Sequence, residues 1–266
     1  MRPGTYPTRD EPAHVHATIK EPNDINEYYI DDFVFDDDPI LTSKRRQKLE
    51  NRCGSGVLRL VSQGDLLVGE RDIYLGLNIP DHPGRAAHVA GSGPNVGEDV
   101  NSFIPYHAWG PDKGTKTCPV CKYGWYHGIL YFVGNDPNWK EIKAWLLFME
   151  AESRIRENYL KAYFIYGNET DYDRSAREKE LEQLGRSLDL QRVALTYVPS
   201  LTDTASEIHL NHIDPNTANT LLLYKRSRVI ASFVDLKPTD TNFGMIRQEI
   251  DASINAYYDL PKPEPR

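Results

Sequence analysis

Two short constellations in this chain carry side chains that could do chemistry. The first is His14-Val15-His16, in a run that reads as an extended strand, with Tyr6 beside a proline turn just upstream. Side chains on a strand alternate between faces, so His14 and His16 point to the same side and could grip one metal ion. Imidazole suits iron, copper and zinc, and a Tyr6 phenolate at the same place would favour a hard ferric ion. The plain alternative is an exposed strand that happens to carry two histidines. The second constellation is Cys118-Pro119-Val120-Cys121. Such a pair can exchange electrons as a dithiol and disulfide, form an inert local disulfide, or bind a metal together with His107 and His127, which flank it.

The elements that would position these residues differ between the two ends of the chain. Residues 1–80 read as β-structure broken by turns, with aromatic and β-branched strands at Tyr28–Phe35 and Asp72–Leu75. A hairpin is expected from Gly56–Val61 and Leu66–Gly69, and a short charged helix from Leu41 to Asn51, capped by Thr42 or Ser43. The acidic Asp36-Asp37-Asp38 before Pro39 reads as a solvated turn, with a calcium site as the less favoured reading. Residues 81–117 are rich in proline and glycine and show no periodicity, which marks a linker.

From residue 118 to 258 the pattern changes. All-apolar runs at Ile129–Val133, Ala162–Tyr166 and Val193–Val198 read as strands buried on both faces. Helical spacing covers Asn138–Asn158 and Ser175–Leu188. A hairpin of Thr220–Tyr224 and Val229–Val234 follows, then a closing helix over Asn242–Tyr257. Residues 259–266 form a proline-rich tail that reads as disordered. The order strand, helix, strand, helix, strand, hairpin, helix is similar to that of thioredoxin-like domains. Two departures stand out. Cys118 precedes the first core strand instead of following it, so no helix start is expected to lower its thiol pKa. Asn219 and Thr220 occupy the place where that fold usually has a cis-proline.

Composition narrows the possibilities. The chain has 266 residues, 39% of them hydrophobic and 11% aromatic, enough for two packed domains. A net charge of −8, with no basic run beyond Lys44-Arg45-Arg46, argues against a nucleic-acid partner. No apolar stretch approaches the length of a membrane span. Three cysteines are too few for a disulfide framework. No leader precedes the Tyr6 motif, and the compartment stays open.

The order Arg2-Pro3…Tyr6-Pro7, then Pro12-Ala13-His14…His16, then a strand ending at Asp38-Pro39, resembles the second half of the intradiol ring-cleavage dioxygenases. The similarity continues through Glu50–Gly56 and Arg71–Pro80, and covers residues 2–83. It implies an α+β multidomain chain: a partial β-sandwich over residues 1–80, then the thioredoxin-like domain. It also implies a non-haem Fe(III) held by Tyr6, His14 and His16, with Tyr6 leaving the metal to act as base. The implied substrates are a catechol-type aromatic and O2, with ring opening between the hydroxyl-bearing carbons. The family's second tyrosine has no counterpart, and Tyr28, Tyr29 or a second subunit of a homo-oligomer are the candidates to supply it. Glu11 stands where the family has arginine, with Arg9 nearby, and Asp32 stands where it has glutamine. Met1 would then fall inside the β-domain, as if an N-terminal half preceded it. The alternatives are a thioredoxin-like thiol oxidoreductase centred on Cys118 and Cys121, or a non-catalytic binding module.

Overall fold

The computed structural model describes residues 3, 11–22, 25–80, 82, 91–124, 126–157, 159–170 and 172–253. The chain divides into two compact units, one of Met1–Val89 with Val96–Asp99, the other of Ala90–Asn95 with Val100–Arg266.

The first unit is built from very short elements. These are β1 (His14–Val15), β2 (Thr18–Ile19), β3 (Tyr28–Tyr29), β4 (Phe33–Phe35), α1 (Ser43–Arg46), β5 (Val57–Leu58), β6 (Val61–Gln63) and β7 (Leu66–Val68). Strands β1, β4 and β5 form one sheet, antiparallel between β1 and β4 with His14 opposite Val34, and parallel between β4 and β5. Strands β2 with β3 and β6 with β7 make two-stranded ribbons. The apolar interior is correspondingly small: Ile30, Cys53 and Ile79 in one cluster, Val34, Leu41 and Val57 in another.

Polar side chains do much of the tying in this unit. The Asp31 carboxylate accepts the backbone N–H groups of Asn51 and Arg52, and Arg71 donates to the carbonyls of Asp31, Arg52 and Gly54. Asp38 accepts from the amides of Ala13 and Ile40, and Asp36 from the amide of Leu60. The acidic triplet lies in a turn, with both carboxylate oxygens of Asp38 and one of Asp36 taking backbone amides. Two sequence expectations fail here. Residues 72–75 form no strand, and among the described residues no pair of sheets packs as a sandwich. Strands of two or three residues cannot present the alternating faces that two packed sheets need.

The second unit holds a six-stranded mixed sheet in the order β13-β12-β9-β10-β11-β8. Its elements are β8 (Tyr106–Trp109), α2 (Pro119–Tyr123), β9 (His127–Val133), α3 (Trp139–Ile155), β10 (Leu160–Tyr166), α4 (Arg174–Ser187), β11 (Val193–Tyr197), β12 (Thr220–Lys225), β13 (Arg228–Val234) and α5 (Asp240–Ser253). Strand β10 runs parallel to both β9 and β11, while β12 is antiparallel to β9 and β8 to β11. Strand β8 lies in the segment whose composition reads as linker. Its residues pair as an edge strand, where proline and glycine nearby are tolerated.

Period-two alternation sorts the core into two layers. Ile129, Tyr131 and Val133 of β9, Phe164 and Tyr166 of β10, and Leu195 of β11 share one face with Trp145, Leu146 and Met149 of α3 and Ile246 of α5. Leu130, Phe132, Tyr163, Ile165 and Leu222 share the other face with Phe103, Val120 and Ile208. Both faces are covered, which is why β9 is buried at every residue and reads as a continuous apolar run. Helices α3 and α4 are entered through side-chain caps: Asn138 accepts from the amide of Glu141, and Asp173 from that of Ala176. The β12–β13 hairpin turns on Arg226 and Ser227, both at positive φ (54° and 67°), the mirror-image turn that matches strand twist.

Candidate redox site and histidine cluster

Cys118 and Cys121 are joined in a disulfide with their Cα atoms 5.3 Å apart. Cys118 is the N-cap of α2, and its sulfur accepts the backbone N–H of Cys121 at 3.0 Å. Pro119 takes the first helical position, where a missing N–H costs nothing. The expectation that no helix starts at Cys118 is thus corrected. The helix has only five residues, too short to appear as an apolar period in the sequence. Val120 packs into the second core layer, with Cys118 and Tyr123 against it. Cys118 is half-buried and Cys121 exposed.

Neighbouring residues hold this helix in place. Lys122 donates to Asp112 at 2.5 Å, and that contact raises the lysine's pKa. Asp112 sits on a turn whose Gly110 lies at φ 79°, where a Cβ would run into the Val193 carbonyl. His107 is buried, its Nε2 2.8 Å from the carbonyl oxygen of Thr117, next to Cys118, and its Nδ1 3.2 Å from that of Pro111. His127 is 2.9 Å through Nε2 from the Ser253 hydroxyl, and burial lowers its pKa to about 3. Neither histidine completes a zinc site with the cysteines. Their sulfurs are bonded to each other, and thiolates are what zinc would need. His107 instead fixes the loop that enters α2, a role that no spacing in the sequence announces.

In the first unit, His14 and His16 do converge, as strand alternation requires. Their Nε2 atoms lie 3.3 Å apart. His14 Nδ1 faces the Pro12 carbonyl at 2.8 Å, and His16 Nδ1 faces the Asp32 carboxylate at 2.7 Å. A carbonyl and a carboxylate can only accept, so both Nδ1 atoms donate and the two Nε2 atoms are the positions that would face a metal ion. The three residues form the metal-competent group among the described residues, with ligand atoms within 4.8 Å of one another. Tyr6 and Arg9 lie outside the described residues. Of the tyrosines proposed to replace a missing ligand, Tyr28 donates to Glu21, and burial together with that carboxylate pushes its phenol pKa up, away from phenolate. Tyr29 is 66% exposed.

No protein-family model matches the chain, and no curated protein sequence does. Among solved structures, similarity extends to a protein described as a thiol:disulfide interchange protein DsbE from Chlorobium tepidum. It shares 12% identity over 60% of this chain and 99% of that one, with a TM-score of 0.45. An uncharacterized conserved protein from Geobacillus kaustophilus is 14% identical over 65% of this chain and 87% of its own, at 0.46. Xanthomonas campestris peroxiredoxin Q is 11% identical over 56% of this chain and 90% of its own, at 0.41.

The intradiol dioxygenase reading is overturned. No family model supports it, and among the described residues no sandwich forms. With it go Fe(III), the catechol, O2 and Tyr6 as catalytic base. The physical reason is that a two-residue histidine spacing is a property of any strand; among the described residues the third group facing the pair is the Asp32 carboxylate. No described helix is long and apolar enough to cross a membrane.

Proposed function

We propose that this chain is a thioredoxin-like thiol–disulfide exchange protein whose working groups are Cys118 and Cys121. The observation that carries the reading is the placement of this disulfide. It caps a helix docked on a mixed sheet in which β9, α3, β10, α4 and β11, then β12, β13 and α5, follow in thioredoxin-like order.

The exchange follows from exposure. An incoming substrate thiolate attacks the sulfur of Cys121, the more exposed residue of the pair, and forms a mixed disulfide. The bond to Cys118 breaks, and its electron pair leaves Cys118 as a thiolate. That anion accepts the Cys121 N–H, which favours the charged form and makes Cys118 the better leaving group. A second substrate thiolate then attacks the substrate's own sulfur and releases Cys121. Two thiols are oxidised to one disulfide and the protein gains two electrons. The attack order is opposite to one in which the first cysteine of the pair is the exposed one.

The test is trapping. When reduced glutathione opens the wild-type disulfide and the reaction is quenched with acid, peptide mass spectrometry should find glutathione on Cys121 about tenfold more often than on Cys118. Glutathione mainly on Cys118 would overturn the attack order, and a disulfide that excess dithiothreitol does not open in the folded protein would reduce the pair to a structural clip.

A second reading rests on a separate observation, the convergence of His14 and His16 with Asp32 alongside. The donor set of two imidazoles and a carboxylate suits a divalent zinc or copper ion. Zinc titration followed by calorimetry should show one site that His16→Ala removes. Unchanged zinc uptake in His16→Ala would end this reading.

A further inference from the structure

A cavity of about 110 Å³ opens between the C-terminal end of α3, the start of β10 and the approach to β11. It is separate from the disulfide, although Tyr123 of α2 contributes to its wall. We propose that this cavity binds a short-chain carboxylate, with the acid head on Lys161 and Ser153 and the alkyl tail against the apolar wall.

Two groups here lack the partners that burial normally demands. Ser153 is 1% exposed, and its hydroxyl has no hydrogen-bond partner, although a helical serine could bond back to its own helix. Lys161 is half-buried, yet no carboxylate lies within 4 Å of its ammonium among the described residues. Its contacts are the Glu157 carbonyl at 3.5 Å and the faces of Tyr126 and Tyr123 at 4.8 and 5.7 Å. Burial, and then the charge of Arg192, lower the Lys161 pKa, as expected for an ammonium that lacks an anion. The acid at the rim, Glu157, is already held by Arg192 at 2.5 Å.

The rest of the lining sets the ligand class. Leu160, Ala162 and Ala194 offer apolar surface, which a bare inorganic anion would leave unused. The volume excludes nucleotides and peptides, since a cavity of roughly 150 Å³ takes a six-carbon ring. An acid of about four to six heavy atoms, such as butyrate, fits both the charge and the space.

Sodium butyrate titrated into the full chain should give one saturable site by calorimetry, and amide shifts at Ser153, Lys161 and Ala194. Lys161→Met should weaken binding by about tenfold and Ser153→Ala by about threefold. Glu157→Gln, at a half-exposed position where folding is not at stake, should strengthen it by about threefold because a competing anion is removed. Methyl butyrate, with the same tail and no charge, should not bind. The proposal is overturned if butyrate fails to saturate by roughly 20 mM, if Lys161→Met and Glu157→Gln both bind as wild type does, or if inorganic phosphate binds the site more tightly than butyrate. The last result would make it a general oxyanion site.

Discussion

Glu150 lies in the middle of α3 with its side chain only 7% exposed, and its carboxylate closes the start of β11. Oε2 accepts the backbone N–H groups of Arg192 and Val193 at 2.9 and 3.1 Å, and Oε1 accepts that of Gln191 at 3.1 Å. Arg154 donates to Oε1 at 2.8 Å. Replacing Glu150 by alanine strands three amides where β11 enters the core. Each unsatisfied donor costs about 1–3 kcal/mol, with the low end appropriate to the two partly buried ones, so a loss of about 4 kcal/mol is expected. Glu150→Gln keeps one acceptor oxygen but turns an NH2 group toward an N–H, and should lose about 2 kcal/mol.

The charge gives a pH signature. Burial pushes the Glu150 carboxyl up, but Arg154 and the three amides outweigh it and hold the pKa below the ordinary carboxylate value. A lowered folded pKa means stability that is fully present above the unfolded value and lost as pH falls through the folded one. The advantage of wild type over Glu150→Gln should therefore be full at neutral pH and shrink below about pH 4. Urea unfolding read by tryptophan emission is a suitable assay, because Trp109, Trp125, Trp139 and Trp145 all belong to the second unit. Lys179→Ala, on the exposed side of α4, serves as a control expected within about 0.5 kcal/mol of wild type. A Glu150→Ala loss below about 1 kcal/mol would refute the reasoning, since it would mean that water satisfies those amides.

Gly128 of β9 faces the Tyr224 ring so closely that a Cβ would fall inside it, and Tyr224 is fully buried. Gly128→Ala should destabilise the second unit by about 2–3 kcal/mol in the same unfolding assay, through overpacking. His127 is buried neutral, with Nδ1 unpartnered and its pKa lowered by burial to about 3. Protonation then favours the unfolded chain, so stability is full above about pH 6.5 and falls between there and the folded value. Wild type should lose about 2 kcal/mol between pH 7 and pH 5 from this group alone, and His127→Gln should flatten that slope when unfolding midpoints are compared.

Local pattern by itself was enough to determine much of the second unit. The apolar runs at Ile129, Ala162 and Val193 are strands, the helix caps Asn138 and Asp173 lie within two residues of the expected starts at Asn138 and Ser175, and the hairpin turns at Arg226 and Ser227. These features are legible because strand and helix periods are written into consecutive side chains. The strand period likewise placed His14 and His16 on one side, and their spacing was read correctly even though the chemistry assigned to it was not.

Tertiary structure decided everything that depends on residues far apart in the chain. It recruited β8 from a stretch that composition reads as linker, because edge pairing with β11 needs only four residues and no apolar period. It made Cys118 a helix cap, gave His107 and Asp112 the task of holding that helix, and put Asp32 beside His16. It also brought Ser153 of α3 and Lys161 of β10 to the wall of one cavity. No spacing rule could pair those groups, because their partners, or the lack of them, are set by how helices and strands pack and not by their order along the chain.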